Sequence, residues 1–376
     1  MKIILFANTD WYLYNFRLAL AQALRERGDQ VTLLSPNGPY AARLQELGFR
    51  WIQFPMARRN LNPLLEADTI LRLADLYRRE RPELVHHFTV KCVLYGSLVS
   101  RLLGIRSVVN SVTGLGYVFT EGYGSPPKYG GSRRRWLQRI VKLFYRILLR
   151  RTYVIFQNPD DQAIFILNEL VDPQRAALIR GSGVDILRFS PRPEEEGLPV
   201  VILPARLLWD KGVAEFVQAA RLLRAEGVQA RFVLVGDSDP ENPSSVPLAQ
   251  IQEWEREAVI EWWGWVEDMA EAYAKAHIVC LPSYREGLPK TLIEAAACGR
   301  PIIASDVPGC REVVRLGENG LLVPSHDPFA LADAIRLLIK NPTLRQEMGT
   351  RGRDIAVKEF PTAQIIAQTL AVYQSL

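Results

Sequence analysis

The feature that most constrains the fold of this chain is an alternation of short, β-branched apolar runs with amphipathic helical patterns, which occurs in two separate stretches. Near-continuous runs of Val, Ile and Leu between helices indicate parallel strands that are covered on both faces. The predicted strands are Lys2–Ala7, Val31–Ser35, Arg50–Phe54, Glu83–Phe88, Ser107–Ser111 and Tyr153–Asn158 in the first stretch, and Pro199–Pro204, Arg231–Val235, Val259–Trp262, Ile278–Leu281 and Pro301–Ala304 in the second.

We therefore predict an α/β protein of two Rossmann-like, doubly wound parallel-sheet domains that face a cleft. Ligands of such sheets bind outside the carboxyl ends of the strands. The length of 376 residues, with 48% hydrophobic and 23% charged residues, fits two or three globular domains. The predicted domains are residues 1–183 and 184–358, and a polar, proline-bearing stretch at Ser190–Gly197 is predicted to join the two runs of strands.

Cysteine spacing and apolar run lengths give an expectation for the compartment. The four cysteines show no CxxC spacing, which argues against a zinc ribbon or a disulfide framework. No run reaches the ~18 apolar residues that a spanning helix needs. Met1–Ala7 is too short an apolar run for a signal-peptide core and is interpreted as a strand. We expect a cytoplasmic protein.

One segment carries the whole positive excess. The net charge is +5, and residues 126–153 contain nine basic residues and no acidic one. A basic amphipathic helix with aromatic and leucine side chains opposite its cations is typical of helices that lie on anionic membranes. We expect residues 133–151 to bind the inner face of the cell membrane; an ordinary surface helix is the alternative. The basic positions are Arg135, Arg139, Lys142, Arg146 and Arg150, and the apolar positions are Trp136, Leu137, Ile140, Val141, Phe144, Ile147 and Leu148.

The strongest chemical signal lies between Pro282 and Pro308. Glu286 is predicted in the loop after a strand, and Glu294 in the first turn of the next helix. The free N–H groups at that helix N-terminus favour an anion, so we predict that they hold a diphosphate while the two carboxylates bind sugar hydroxyls. Thr291 and Glu294 also fit a capping box, which is the structural alternative. The turn between the carboxylates consists of Gly287, Leu288, Pro289 and Lys290.

A second group of residues follows the first strand of the second half. Arg206 and Lys211 are predicted to point into the cleft, and Asp210 to cap the next helix. Two cations at this place would neutralise a diphosphate leaving group, which Arg can bind with two parallel hydrogen bonds. Local ion pairs are the alternative.

These motifs together resemble the retaining glycosyltransferases of family four. The resemblance rests on Glu286 and Glu294, on Arg206 with Lys211, and on the segments Gly181–Asp185 and Asn319–Pro324. It covers nearly the whole chain. It implies a GT-B fold, no metal and no cofactor other than the UDP-sugar donor, and a carboxy-terminal segment, 359–376, that packs back onto the first domain.

The resemblance also implies roles for individual residues. Glu286 would contact the transferred sugar and Glu294 the ribose. Arg206 and Lys211 would hold the diphosphate. The base pocket would be lined by Gly264, Trp265 and Val266.

The first half is similar to the branch that extends polyprenyl-diphosphate-linked saccharides. The similarity lies in the segments around His86, His87, Thr113 and Gly114. Many members carry a histidine where this chain has Thr113, so His86 and His87 are the nearby candidates, although a structural role is the alternative. The glycine-rich turn of the family is replaced after the first strand, where Asn8 and Thr9 are assigned to the acceptor side.

The predicted function is transfer of a hexose or N-acetylhexosamine from a UDP-sugar to a polyprenyl-diphosphate-linked saccharide, in capsule, O-antigen or glycoprotein glycan assembly. A soluble acceptor and a non-catalytic sugar-nucleotide-binding subunit are the alternatives. No placed general base is evident, which favours retention through front-face attack. The dinucleotide fingerprint fails at Gly114–Gly116, which makes a dehydrogenase the least favoured alternative, and no nucleic-acid-binding pattern accompanies the basic segment.

Overall fold

The computed structural model describes residues 1–56, 62–114, 141–239 and 242–376. Within these residues the chain forms two compact units. Unit 1 takes the chain up to Ser182 together with Ile365–Leu376, and unit 2 takes Gly183–Gln364.

Unit 1 contains a seven-stranded parallel sheet with the order β3-β2-β1-β4-β5-β6-β7. The strands are β1 Lys2–Phe6, β2 Gln30–Ser35, β3 Arg50–Gln53, β4 Leu84–Phe88, β5 Ser107–Val112, β6 Tyr153–Phe156 and β7 Ala176–Leu178.

The helices of unit 1 begin where the sequence supplies capping residues. Asn62 and Asn158 each accept a backbone N–H at a helix start, with proline at the next position. The helices are α1 (Asp10–Tyr12, π-helical Leu13–Arg17 and Leu18–Glu26), α2 Ala41–Glu46, α3 Pro63–Glu80, α4 Val90–Leu103, α5 (helical residues 141–149) and α6 Pro159–Leu167.

Unit 2 contains a six-stranded parallel sheet with the order β10-β9-β8-β11-β12-β13. Its strands are β8 Val200–Pro204, β9 Arg231–Val235, β10 Glu261–Trp262, β11 Ile278–Leu281, β12 Ile302–Ser305 and β13 Gly320–Val323. Its helices are α7 Val213–Ala225, α8 Leu248–Arg256, α9 Met269–Lys275, α10 Lys290–Ala297, α11 Pro328–Lys340, α12 Pro342–Glu359 and α13 Thr362–Gln374, the last of which continues into unit 1.

Both sheets are doubly wound, which confirms the predicted fold class. The strand order reverses between β1 and β4 in unit 1 and between β8 and β11 in unit 2. The side chains of β8 show why its sequence is continuously apolar. Val200 and Ile202 enter one hydrophobic core, whereas Val201 and Leu203 enter another, so both faces are covered.

The interpretation of Ser190–Gly197 as a linker between the two units is wrong. The stretch lies within unit 2, where Glu194 pairs with Arg345 at 2.8 Å. The neighbouring Glu195 carbonyl oxygen lies 3.0 Å from Nε2 of His277. Polar composition alone suggested a linker, but these charges are bound locally and fix the stretch to its own unit.

The basic helix is described only from residue 141, and its predicted positions up to Ile140 lie outside the described residues. Lys142 donates to Asn168 Oδ1 at 3.1 Å, while Tyr145, Leu148 and Leu149 are buried. Burial of Leu148 agrees with the alternative of a surface helix whose apolar side packs on its own core. No helix in the described ranges is long and apolar enough to cross a bilayer.

Candidate functional site

The candidate donor site is formed by two loops at the centre of the unit 2 sheet. One loop follows β8 and contains Lys211, and the other follows β11 and contains Glu286. Because β8 and β11 are adjacent parallel strands on either side of the point where the strand order reverses, both loops leave the same edge. Doubly wound sheets bind their ligands at this position.

The two loops are joined by side-chain and backbone contacts. Lys211 Nζ lies 2.5 Å from Glu286 Oε1, with side-chain exposures of 18% and 11%. The backbone N–H of Tyr284 donates to the Asp210 carbonyl at 2.9 Å. A Cβ built on Gly212, whose φ is +74°, would lie 2.1 Å from the carbonyl oxygen of Pro282, so this close approach requires glycine. The structure therefore brings Lys211 and Glu286 together.

The turn Gly287–Lys290 leads directly into α10. The residue before the helix is Pro289, and no side chain caps the start of α10 there. Gly309 approaches this turn closely, because a Cβ on it would lie 2.5 Å from the Gly287 carbonyl oxygen. Leu288 packs against the core, and the Lys290 ammonium lies near the helix start. The arrangement suits an anion.

Glu294 lies in the second turn of α10, so its predictions of a first-turn position and a capping box are wrong. The helix begins at Lys290, which makes Thr291 an internal residue and not the cap. Glu294 is 7% exposed, and its Oε2 accepts from the Tyr273 hydroxyl at 3.2 Å. Burial raises the pKa of Glu294, and the Lys290 ammonium, 3.5 Å from Oε1, opposes the shift. The Tyr273 hydroxyl thus fixes one oxygen of the Glu294 carboxylate on its buried side.

Arg206 has a different partner. Its guanidinium lies 3.4 Å from Asp239 Oδ2, and the side chain is 47% exposed. Asp210 does not cap α7, since the capping position is Gly212 and the Asp210 carboxylate accepts from Ser244. The local ion pair that was the alternative for Arg206 is therefore present, although its exposure leaves the side chain free to change partner.

The predicted base-binding residues follow β10, two strands from β8 along the same sheet. The Gly264 carbonyl accepts from the Gly236 N–H at 2.8 Å, which ties this loop to the end of β9. The Trp265 side chain is 51% exposed, and Val266 packs against the core. An exposed indole at this edge is available to stack on a planar ring.

Sequence spacing missed a polar cluster beside the Lys211 loop. The Tyr284 hydroxyl donates to Glu215 Oε1 at 2.8 Å, and the His326 ring lies over Tyr284 with 3.6 Å between ring centroids. His326 has a φ of +62°, a backbone conformation that non-glycine residues seldom adopt. These residues come from three separate segments. The positive φ is a property of the backbone, so spacing gives no signal for it.

The residues predicted for the acceptor side in unit 1 begin after β1. Thr9 Oγ1 accepts from the Tyr12 N–H at 3.1 Å and so caps α1. Asn8 precedes it, and Asp10 accepts from the N–H groups of Tyr40 and Ala41. Thr9 and Asp10 therefore position the loop.

Both histidines of β4 belong to a buried hydrogen-bond network. His86 Nδ1 lies 2.6 Å from the Tyr373 hydroxyl and Nε2 lies 2.8 Å from Ser111 Oγ. His87 Nδ1 lies 2.8 Å from Asn110 Oδ1 and Nε2 lies 3.0 Å from a tyrosine hydroxyl of α3. Burial lowers the pKa of His86 well below its ordinary value and that of His87 to about 4. All four ring nitrogens are occupied, so the assignment of either histidine to substrate binding disagrees with this geometry.

Thr113 and Gly114 lie at a cavity of about 260 Å³ where β4 and β5 end. A larger surface groove, about 480 Å³ along α7, contains none of the predicted site residues. We therefore place the chemistry at the sheet edges. Within the described ranges, no group of three His, Cys, Asp or Glu side chains is placed to hold a metal ion.

The family is shown by comparison with known proteins. The model of the glycosyl transferases group 1 matches residues 187–355, and the glycosyl transferase 4-like model matches residues 2–158. One family model therefore falls within each unit, and together the two cover most of the chain. This chain belongs to the glycosyltransferase family four enzymes and is a hexosyltransferase with a GT-B fold, as its motifs indicated.

Two curated relatives are similar over most of the chain. One is the N,N'-diacetylbacillosaminyl-diphospho-undecaprenol alpha-1,3-N-acetylgalactosaminyltransferase of Campylobacter jejuni, 26% identical over 95% of this chain and 94% of the relative. The other is the UDP-Gal:alpha-D-GlcNAc-diphosphoundecaprenol alpha-1,3-galactosyltransferase of Escherichia coli, 24% identical over 82% and 80%. The crystal structure of Anabaena HepE in complex with UDP shares the fold, with a TM-score of 0.77, 19% identity and complete coverage of both chains.

Proposed function

We propose that this protein is a retaining glycosyltransferase that moves a hexose or N-acetylhexosamine from a UDP-sugar to a polyprenyl-diphosphate-linked saccharide, in cell-surface polysaccharide or glycoprotein glycan assembly. The observation that carries the proposal is the contact of Lys211 with Glu286 beside the uncapped start of α10. A cation, a carboxylate and a helix start without a side-chain cap at one sheet edge suit a sugar joined to a diphosphate. The acceptors named for both relatives support the second half of the proposal.

On the donor side, the α10 amides and Lys211 bind the diphosphate, and Glu286 binds hydroxyls of the transferred sugar. Negative charge grows on the diphosphate as the bond to the sugar breaks, so a fixed cation and the helix N-terminus stabilise the transition state more than the bound substrate. Glu294 binds the ribose, and Trp265 with its neighbours lines the base pocket. Arg206 leaves its ion pair with Asp239 and binds the diphosphate instead.

We propose retention because no placed general base is evident in the sequence. An inverting reaction needs a carboxylate or imidazole placed opposite the leaving group. Both β4 histidines are buried and fully bonded, so neither supplies this base. In front-face attack the departing phosphate oxygen accepts the proton of the acceptor hydroxyl, and the protein contributes positioning and charge stabilisation.

On the acceptor side, we propose that the lipid-linked sugar carries an acetamido group. The acceptors in the names of both relatives are N-acetylated: one is a diacetylbacillosaminyl and the other a GlcNAc diphosphoundecaprenol. Such an acceptor is embedded in a bilayer, so the enzyme works as a peripheral protein at the inner membrane face. The basic segment 133–151 is the proposed contact with anionic lipid.

The donor assignment is tested by comparing Lys211→Ala with Lys340→Ala, an exposed lysine at the end of α11. Radiolabelled UDP-sugars are first screened against membrane extract, and the lipid-linked product is characterised. We expect Lys211→Ala to lower kcat/KM by about 10²–10³-fold while Lys340→Ala matches the wild type. Equal activity of folded Lys211→Ala and wild type would overturn the assignment.

The same screen separates the alternative functions. Product on an added water-soluble saccharide, with none on lipid, would show a soluble acceptor. UDP-sugar binding without product on any acceptor would show a non-catalytic binding subunit. Product on lipid alone supports the proposed function.

A further inference from the structure

Unit 1 contains a small cavity beside the carboxyl ends of β4 and β5. Its volume of about 260 Å³ is below the ~300 Å³ at which sites for whole small molecules begin, so it fits one substituent or one ring of a larger ligand. Its lining residues are Thr89, Val90, Val93, Ser111, Val112, Thr113, Gly114 and Tyr145.

The lining combines an apolar wall with a few neutral polar groups. Val90, Val93 and Val112 supply the wall, and none of the described residues that line the cavity carries an acidic or basic side chain. Lys91, which follows Val90, is instead directed to Glu66, 2.7 Å from its carboxylate. A phosphate in this cavity would find no counter-charge, and burying an uncompensated charge is costly. The cavity therefore selects a neutral group.

One buried hydroxyl among the described residues that line the cavity meets no hydrogen-bond partner. The Ser111 hydroxyl is already bonded to His86 at 2.8 Å. The Thr89 Oγ1 atom is buried and has no hydrogen-bond partner. Burial raises the pKa of the nearby Cys92 thiol and the Thr89 side chain opposes this shift, but a thiol is only a weak hydrogen-bond donor. A buried hydroxyl without a partner costs free energy unless a ligand supplies one.

Thr89 makes no capping hydrogen bond, and its backbone conformation is unusual for a capping residue. Thr89 occupies the N-cap position of α4, where threonine ordinarily accepts a backbone N–H, yet it makes no such bond. Its φ of +72° and ψ of 153° differ from the extended backbone that is usual for a capping residue. The first N–H groups of α4 consequently lack a side-chain cap, next to the same cavity.

We propose that this cavity binds the acetamido group of the acceptor sugar, an inference that rests on the proposed function. The acetamido methyl packs against the three valines, and its carbonyl oxygen accepts from the Thr89 hydroxyl or the start of α4. A sugar hydroxyl in the same place would leave the apolar wall in contact with water. The cavity thus makes the enzyme selective for an N-acetylated acceptor.

Selectivity is measured by direct binding, which needs no turnover. The probes are N-acetylglucosaminyl and glucosyl diphosphates, each carrying the same short prenyl chain, and their dissociation constants are measured by titration calorimetry. The full-length protein is expected to bind the N-acetylated probe at least 10-fold more tightly. Equal affinities, or no binding of the N-acetylated probe, overturn the inference.

Two variants and two controls test whether the selectivity belongs to the cavity. Val90→Phe fills it, and Thr89→Gly removes the hydroxyl while suiting the positive φ; both should bring the ratio of the two affinities close to 1. Leu71→Phe adds the same bulk to an exposed position of α3 and should retain the wild-type ratio, as should Thr89→Ser. Melting temperatures exclude unfolding as the cause. An unchanged ratio in folded Val90→Phe and Thr89→Gly overturns the inference.

Failure of the inference is distinguishable from failure of the proposed function. If lipid-linked product forms but both probes bind equally, the transferase stands and the cavity has another role. If the N-acetylated probe binds selectively but no product forms with any UDP-sugar, the cavity assignment stands and the transferase proposal is wrong.

Discussion

Glu294 is a buried carboxylate whose environment changes its acidity. Burial raises its pKa, and Lys290, the Tyr273 hydroxyl and Arg188 act in the opposite direction. A raised pKa means that the folded state binds the proton more tightly than the unfolded state does. The stability this group contributes is therefore present below the pKa of the unfolded chain and is lost as the pH rises through the folded value.

We expect Glu294→Gln, which cannot ionise, to gain stability relative to the wild type between about pH 4 and pH 7.5. Thermal unfolding at both pH values measures the change. Glu253→Gln, at an exposed position of α8, is the control and should show no such trend. A difference between Glu294→Gln and wild type that shrinks towards pH 7.5 would contradict this reasoning.

The affinity of the same variant for UDP tests the proposed contact of Glu294 with the ribose. We expect this affinity to fall about tenfold relative to the wild type.

The pH dependence of stability that His87 contributes has the opposite sign to that of Glu294. Burial lowers its pKa to about 4, so the folded protein keeps it neutral while the unfolded chain is protonated below its ordinary value of 6.5. Stability is lost as the pH falls through this window, and linkage gives a loss of about 2 kcal/mol between pH 7 and pH 5. His87→Gln is less stable at pH 7 because it loses bonds, but the gap should narrow by that amount at pH 5. Urea unfolding of the full-length wild type and variant at both pH values measures this gap in unfolding free energy. A gap of the same size at pH 7 and pH 5 would refute the assignment.

At the scale of elements, α13 packs in unit 1 from its first turn to its last. Ile365 and Tyr373 enter the hydrophobic core of unit 1, and the Tyr373 hydroxyl reaches His86. Tyr373→Phe keeps the ring but leaves a buried imidazole nitrogen unpaired, so we expect a loss of about 1–3 kcal/mol. Tyr153→Phe is the matched control, because its hydroxyl meets an exposed carbonyl of Ser375 at 3.3 Å and should cost much less. Similar losses in both variants would show that burial of the bond is unimportant.

The elements that the sequence predicted well are those with long apolar runs. The strand β8 was evident because both of its faces are buried, whereas the three-residue β7 and the glycine-initiated β13 have too little pattern to be recognised. The capping box failed because Pro289 fixes the start of α10 before Thr291. Local spacing therefore locates strands and loops, and the exact helix start depends on neighbouring residues.

The candidate site was predictable to a similar degree. Lys211 and Glu286 were each expected at a strand end, but their contact depends on β8 and β11 being neighbours, which is a property of strand order. The burial of His86 and its bond to Tyr373, 287 positions away, arise from tertiary structure alone. Sequence reasoning supplied the residue types and topology supplied their partners.

At the scale of the whole molecule, charge and exposed apolar surface coincide on α5. Leu143, Phe144 and Ile147 are 55%, 48% and 47% exposed, although each is apolar. Lys142 and Arg146 instead bind Asn168 and its neighbourhood in the loop after α6. The described part of the basic segment thus offers apolar side chains for insertion, and the flanking cations from Arg133 to Arg139 remain the predicted source of attraction to anionic lipid.

The separate roles of the apolar side chains on α5 and of the flanking cations predict how binding to vesicles depends on lipid and salt. The wild type should float with phosphatidylglycerol-containing vesicles at low ionic strength and less well at high salt, because the cations are screened. The double variant Phe144→Ser/Ile147→Ser should lose at least tenfold in partitioning, since burying each side chain contributes about 1.5–3 kcal/mol. Leu187→Ser, at an 86% exposed position of unit 2, should float like the wild type. If the double variant floats equally well, insertion through α5 is wrong, and if the wild type ignores anionic vesicles even at low salt, the membrane contact itself is wrong.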